Sequence, residues 1–425
     1  MDMVYIEPQR LEGSVKIPPS KSYAHRALIC AALSEGECKI ENIRPSQDIL
    51  ATLNVVRAFG AECVYDEKKS HLTVKGRGTG GFGALAAADC NESGSTLRFF
   101  MPIAAALGIK SEFTGHGRLM QRPLKPYFDL FKKCGVKCEM TRQDTVTVSG
   151  HMRGGTYTVD GSESSQFVSG MLFALACAKE DSRLVIDGAL RSRGYVDITL
   201  DVMKSFGIKV KNNNYESFEI RGGQRFSRKT YRVEGDFSQA AFFLAAGAIG
   251  SDIVCEGLNE DSIQGDKKIT DIIRKAGGIV ESCGKGRLRA RCTSLMHGIT
   301  VDADEIPDLV PIIAVMLCFC RGESRIINAG RLRLKESDRL RATASELSRL
   351  GANIYEGSDY LKIVGGQVLC GNTVSAWNDH RIAMAAAIAA SRCEGGVGIT
   401  GALQAVKKSY PDFFGDYRAL GGNVR

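Results

Sequence analysis

One short segment recurs six times along the chain: VVRAFGAEC, LFKKCGVKC, VMKSFGIKV, IIRKAGGIV, LSRLGANI and YRALGGNV. Its glycines are Gly60, Gly135, Gly207, Gly277, Gly351 and Gly421, spaced by 75, 72, 70, 74 and 70 residues. Each segment is amphipathic up to the glycine and β-like after it, so the glycine is read as the left-handed residue that ends a helix. A fixed period of this kind makes each copy one supersecondary unit, and the units bury their apolar faces by packing on their neighbours.

A second series keeps the same period: a polar cap followed by a helix rich in small apolar residues. Its members are SKSYAHRALICAAL, SGSTLRFFMPIAAAL, SSQFVSGMLFALACA, FSQAAFFLAAGAI, IPDLVPIIAVMLCFC and NDHRIAMAAAIAA. Positions such as Ala24, Ala27, Leu28 and Ala31 follow the helical period, and several of these helices are apolar nearly all round, which predicts burial. After each of the first five glycines the sequence alternates like a hairpin, as in ANIYEGSDYLKIVGG. The sixth copy stops at Gly421-Gly-Asn-Val-Arg, and the first apolar helix is preceded by two spare strands, VYIEPQ and GSVKIP. The N-terminus is therefore expected to complete the last unit.

This arrangement predicts an α/β protein of two three-unit domains, residues 20–231 and residues 1–19 with 232–425. The chain would cross near Pro18–Pro19 and again near Arg232–Gly235, and two crossings make a hinge. The length of 425 residues allows two or three domains, and 44% apolar with 24% charged residues excludes a disordered chain. The longest apolar run, Leu309 to Cys320, lies between Asp308 and Arg321 and is too short to span a bilayer. The start, MDMVYIEP, has no signal-like pattern, so a cytoplasmic protein is expected. Fourteen cysteines include no C-x-x-C, and those in apolar runs (Cys30, Cys177, Cys318, Cys320, Cys393) read as small core hydrophobes. A net charge of +8 comes without a block of five like charges or aromatic-basic interleaving, which favours small anions over nucleic acid.

The unusual polar residues gather at the starts of the six apolar helices, where unpaired N–H groups and the helix dipole attract phosphate and carboxylate. They are Ser20, Lys21, Ser22 and Arg26; Asn91 to Thr96 with Arg98; Ser164, Ser165 and Gln166; Asp236 and Ser238; Asp308; and Asn378 to Arg381. A lone Ser or Asp there is ordinarily an N-cap. Basic residues in a first turn oppose the dipole and need another reason, and Arg122, Lys335, Glu336, Arg339 and Lys408 add charge in the same phase of the repeat. Gly78 to Gly83 matches G-x-G-x-x-G, but the period puts it in a loop between units, against dinucleotide binding. The six histidines form no ligand-spaced pair, so no metal is expected. His25 reads as a core or capping residue, and His380 as either structural or functional.

Ten stretches in order make the chain similar to the 5-enolpyruvylshikimate-3-phosphate synthase family (3-phosphoshikimate 1-carboxyvinyltransferases): PSKSYAHRAL, ESGSTLRF, QRPL, GSESSQF, SRGYVDIT, VEGDFSQA, IPDLVP, LRLKESDRL, WNDHRIAMA and KKSYPDFF. The resemblance implies two inside-out α/β domains, each of three βαβαββ units, closing on the substrates without metal or cofactor. It implies transfer of the enolpyruvyl group of phosphoenolpyruvate to the 5-hydroxyl of shikimate 3-phosphate, through a tetrahedral intermediate that expels phosphate. Shikimate 3-phosphate would meet Lys21, Ser22, Arg26, Ser164, Ser165, Gln166, Ser192, Tyr195, Asp308 and Lys335. Phosphoenolpyruvate would meet Lys21, Gly94, Arg122, Gln166, Arg339, Arg381 and Lys408. Asp308 would accept the 5-hydroxyl proton, and either Glu336 or Lys21 would move the proton at C3. Gly94 is where the herbicide glyphosate, a competitor of phosphoenolpyruvate in the family, needs room.

Two phosphates of ~−1.5 to −2 each and two carboxylates suit such a site. Lys21, Arg26, Arg98, Arg122, Lys335, Arg339, Arg381 and Lys408 would face them, against Asp308 and Glu336. Glu92 and Arg331 depart from the family pattern and are left out of the binding set. A UDP-N-acetylglucosamine enolpyruvyl transferase would carry a reactive cysteine before Arg122, and the segment from Gly115 has none. A non-catalytic RNA-binding repeat protein would leave Asp308 and the Lys335-Glu336 pair without a role. A monomer is expected, with no membrane or nucleic-acid partner.

Overall fold

The structure, a computed structural model, describes residues 2–80, 85–292 and 296–425. It divides into two units, residues 21–233 and residues 1–20 with 234–425. Each unit has its own continuous apolar core.

The described residues form six four-stranded sheets, one for each repeat. In the second repeat, strand Leu85–Asp89 runs parallel to Lys110–Thr114, with helix Gly94–Leu107 as the crossover between them. Strand Lys110–Thr114 then pairs antiparallel with Thr145–Ser149, the second arm of a hairpin begun by Lys137–Arg142. The third and fifth repeats follow the same order. All six repeat glycines have positive φ, from +73° at Gly135 to +94° at Gly60. The helix-ending role read from their spacing is thus the observed one.

The apolar helices are buried. Every residue of Phe237–Ala248, Val310–Cys318 and His380–Ala390 is buried, and strands such as His71–Arg77 bury alternate side chains against such helices. Side chains of Ser93, Ser164, Asp236 and Asp379 accept N–H bonds from the first turns of four of these helices, the ordinary capping role. Cys30, Cys318, Cys320 and Cys393 lie in the core, whereas Cys177 is half-buried; burial pushes the Cys177 and Cys318 thiols up to about 12. Of the glycine-rich decoy, Gly78 to Gly80 form a turn and Gly81 to Gly83 lie outside the described residues.

The two N-terminal strands do not both complete the sixth unit. Met3–Glu7 does, lying antiparallel between Val397–Thr400 and Asn423–Val424. Glu12–Lys16 instead pairs parallel with Asp252–Glu256 in the fourth repeat. The strand that precedes the fourth apolar helix, Thr230–Arg232, pairs parallel with Glu35–Glu41 in the first. The strands opening the first and fourth repeats are thus exchanged. A parallel partner is reached by a crossover rather than a turn, so nothing local in GSVKIP records which sheet receives it. At the connections Pro19 bridges Gly235, Ser20 N–H donates to Glu234 O at 2.7 Å, and Asp236 N–H donates to Pro18 O at 2.9 Å.

Two glycines differ in what they tolerate. At Gly207 (φ +87°) an added Cβ would meet nothing closer than Arg225 O at 3.7 Å, so Gly207→Ala should cost only the left-handed penalty, ~1–2 kcal/mol. At Gly365 a Cβ would fall 2.2 Å from Leu317 O and 2.3 Å from Cys320 O, so strand and helix end must separate. Urea unfolding should show Gly365→Ala as the more destabilised variant, and equal midpoints would contradict this packing.

Candidate active site

In the unit of residues 21–233, Lys21 opens helix Lys21–Ala32 and its Nζ lies 2.7 Å from Asp48 Oδ2, at the start of the next helix. Arg98, buried within helix Gly94–Leu107, donates to Gln166 Oε1 at 2.8 Å and to Pro123 O at 2.9 Å, and lies 4.8 Å from the centre of the Phe167 ring. Gln166 Nε2 donates to Ser95 Oγ at 3.0 Å. An added Cβ at Gly94 would fall 2.8 Å from Arg122 Nη1 and 3.4 Å from Gln166 Oε1. Gly94, Arg122 and Gln166 therefore converge. Ser164 caps its helix, Ser165 is buried beside it, and Ser192 takes φ +53° just before helix Arg193–Ser205, which carries Tyr195.

Arg26 is 2% exposed. It donates to Thr199 Oγ1 at 2.7 Å, Ser22 O at 2.9 Å and Tyr195 O at 2.9 Å, and lies over the Phe99 ring. Burial lowers its pKa to about 10. In this structure Arg26 ties helix Lys21–Ala32 to helix Arg193–Ser205. His25 is also buried, with Nδ1 2.6 Å from Thr52 Oγ1, and burial first, then Lys21 and Arg26, hold it well below its usual pKa.

In the other unit the cations converge on one carboxylate. Asp308 lies in the short turn Pro307–Leu309 that leads into helix Val310–Cys318. Its Oδ1 accepts from Arg339 Nη1 at 2.9 Å and Lys335 Nζ at 3.4 Å, and its Oδ2 accepts from Arg381 Nη2 at 3.0 Å. Arg381 Nη1 also reaches the Asp308 carbonyl at 2.9 Å, which fixes backbone and side chain together. Arg339, 1% exposed, further bonds Glu336 at 2.5 Å and Asp379 at 2.7 Å. Burial works against its charge, but Asp379, Glu336 and Asp308 outweigh that and raise its pKa. Burial lowers the Lys335 pKa, with Asp308 opposing. Lys408 Nζ donates to Asn378 O at 2.6 Å, and His380 is buried in the turn that comes next. Arg331 is joined to Asp304 O at 2.6 Å.

Two carboxylates beside these cations carry no motif, and a third, Asp379, does more than its motif implies. Asp48 neutralises Lys21, and its place in the first turn of a helix is a weak signal. Asp379 stands out with its neighbours, yet capping is half its work, since it also holds Arg339 and accepts from Ser337 Oγ at 3.0 Å. Asp266, which no motif marks, is buried and accepts a hydrogen bond from Ser238 Oγ. The surplus of eight cations over two carboxylates is therefore smaller than the motifs imply. Burial, then repulsion from Asp308, pushes the Asp266 pKa up to about 6, with Arg381 and Ser238 pulling it down and Asp236 adding to the rise. The folded state thus favours protonated Asp266, a stabilisation that is full below about pH 4 and lost as pH rises through about 6. Asp266→Asn should gain melting temperature relative to the parent between pH 5 and pH 7, on the order of a few degrees. A difference that stays flat with pH would contradict a titrating Asp266.

Six βαβ-and-hairpin repeats in two units, with basic residues at the starts of buried helices, define an enolpyruvyl transferase-like α/β protein. Solved structures share this fold over the whole chain: an EPSP synthase from Acinetobacter baumannii, with TM-score 0.83 at 24% identity covering 100% of each chain, and the enolpyruvyl transferase NikO from Streptomyces tendae, with TM-score 0.80 at 18% identity covering 100% of this chain and 98% of that one. The sequence profile of EPSP synthase (3-phosphoshikimate 1-carboxyvinyltransferase) matches residues 6–417, and the chain belongs to that family. Similar relatives named 3-phosphoshikimate 1-carboxyvinyltransferase occur in Clostridium perfringens, 44% identical over 431 residues and the full length of both, and in Clostridium novyi, 45% identical over all of this chain and 98% of the relative.

Proposed function

We propose that this chain transfers the enolpyruvyl group of phosphoenolpyruvate to the 5-hydroxyl of shikimate 3-phosphate, with release of phosphate. Membership of the family supports the reaction, and the observation that carries the residue assignment is the grip of Lys335, Arg339 and Arg381 on Asp308. Three positive groups fixed around one carboxylate are a ready receptor for an anionic substrate. When phosphoenolpyruvate takes up the guanidinium N–H groups, Asp308 loses part of its ion pairing and becomes the better base. Asp308 accepts the 5-hydroxyl proton as that oxygen bonds to C2 and C3 gains a proton. Loss of phosphate from C2 and of a proton from C3 then restores the double bond. Moving the C3 proton falls to Glu336 or Lys21.

In this reading Lys21, Gly94, Arg122, Gln166, Arg339, Arg381 and Lys408 meet phosphoenolpyruvate. Lys21, Ser22, Arg26, Ser164, Ser165, Gln166, Ser192, Tyr195, Asp308 and Lys335 meet shikimate 3-phosphate. The N–H groups of Arg26 are largely engaged within the protein, so its part is chiefly to hold Ser22 and Tyr195. The protein is proposed to act as a cytoplasmic monomer, since each unit encloses its own core; size-exclusion chromatography at about 46 kDa would support this.

Phosphate release from phosphoenolpyruvate that depends on shikimate 3-phosphate tests the reaction. Asp308→Asn should lower kcat by ~10²–10⁴ while shikimate 3-phosphate still binds in calorimetry, because a positioned base is worth that much. Unchanged kcat would remove Asp308 from the chemistry. Gly94→Ala should displace the Arg122 guanidinium, the flexible end of a side chain, and so raise the KM for phosphoenolpyruvate with little loss of fold stability. An unaltered KM would mean that Arg122 does not hold this substrate.

A further inference from the structure

Trp377 and Asn378 are two consecutive non-glycine residues in the left-handed region, at φ +53° and +51°. Side chains disfavour that conformation, so surrounding contacts have to impose it. The carboxylate of Glu346 does so from both sides of the turn. Its Oε2 accepts the Ser375 N–H at 2.9 Å and its Oε1 accepts the Trp377 indole N–H at 2.8 Å. Ser375 Oγ adds a bond from Trp377 N–H at 3.1 Å. Glu346 is 5% exposed and lies two turns beyond Arg339 on helix Arg339–Arg349. One helix therefore grips residues 375–381 twice, through Glu346 at Ser375 and Trp377 and through Arg339 at Asp379.

Two cations depend on where this turn leads: Asn378 O receives Lys408 Nζ, and Arg381 occupies the first turn of the next helix. We infer that Glu346, through Ser375 and Trp377, is a positioning residue that sets Lys408 and Arg381 for the anion they bind. This rests on the proposed assignment of those two residues to phosphoenolpyruvate. In this role Glu346 acts through where the two cations stand.

Glu346→Gln keeps the shape but replaces one acceptor oxygen with an NH₂ group, so either the Ser375 N–H or the indole N–H loses its partner. Initial-rate phosphate release should then show the KM for phosphoenolpyruvate raised about tenfold, the loss expected for a charge-assisted bond, with the KM for shikimate 3-phosphate within about twofold of the parent. In the ligand-free protein the near-ultraviolet circular dichroism of the single indole should change and Ser375 should lose amide-exchange protection. Trp377→Phe, which removes one of the two bonds, should raise the same KM less, and Glu346→Gln should add less in that background than alone. A purely structural Glu346 would lower the melting temperature and leave both KM values in place, which overturns the inference. Fully additive effects, or unchanged indole and exchange signals, overturn it as well. If the parent shows no release dependent on shikimate 3-phosphate, the proposed reaction fails, while the indole and exchange signals still decide whether Glu346 holds the turn.

Discussion

A guanidinium shut away from water needs its N–H groups and its charge met from within the protein, and Arg339 has Asp308, Glu336 and Asp379 for this. These three belong to different parts of the chain: the turn before one apolar helix, the loop before Arg339's own helix, and the cap of another apolar helix. Satisfying one buried charge thus fixes how two helix starts and the segment between them sit. The same bonds orient Asp308 and Glu336, so the stability of this corner and the chemistry proposed for it rest on the same contacts.

The repeat explains why helix starts are available for such work. Each βαβ crossover presents the first turn of a buried helix beside the end of its parallel strand, and the hairpin after it covers the helix from outside. Four of the six starts are capped by a side chain in the ordinary way. Elsewhere basic residues occupy the first turn against the dipole, and partner carboxylates offset them: Asp48 for Lys21, Asp379 for Arg339. In the proposed function these cations are held ready by internal anions, which an incoming substrate would displace or share.

The strand exchange between the first and fourth repeats has a topological origin. In the other repeats the opening strand and the apolar helix belong to one unit. In these two the chain changes unit between them, so each sheet receives its fourth strand from the segment preceding the other unit's first helix. The result is that both sheets reach four strands, like those of the other four repeats, with the exchanged strand at one edge.

Much of this was legible in the sequence because it is local. The six left-handed glycines, the hairpins after the first five and the burial of the apolar helices come from patterns within about a dozen residues, and the period is the recurrence of those patterns. The ordered motifs also single out Asp308, Lys335, Arg339 and Arg381, which the fold brings into one cluster. Tertiary structure decided the destination of Glu12–Lys16, the part Arg26 plays between two helices, and the membership of Asp48, Asp266 and Glu346. A strand's parallel partner and a charge's counter-ion are chosen by atoms far away in the chain, as with Glu12–Lys16 and Asp252–Glu256, and periodicity, being a property of neighbours, carries no record of them.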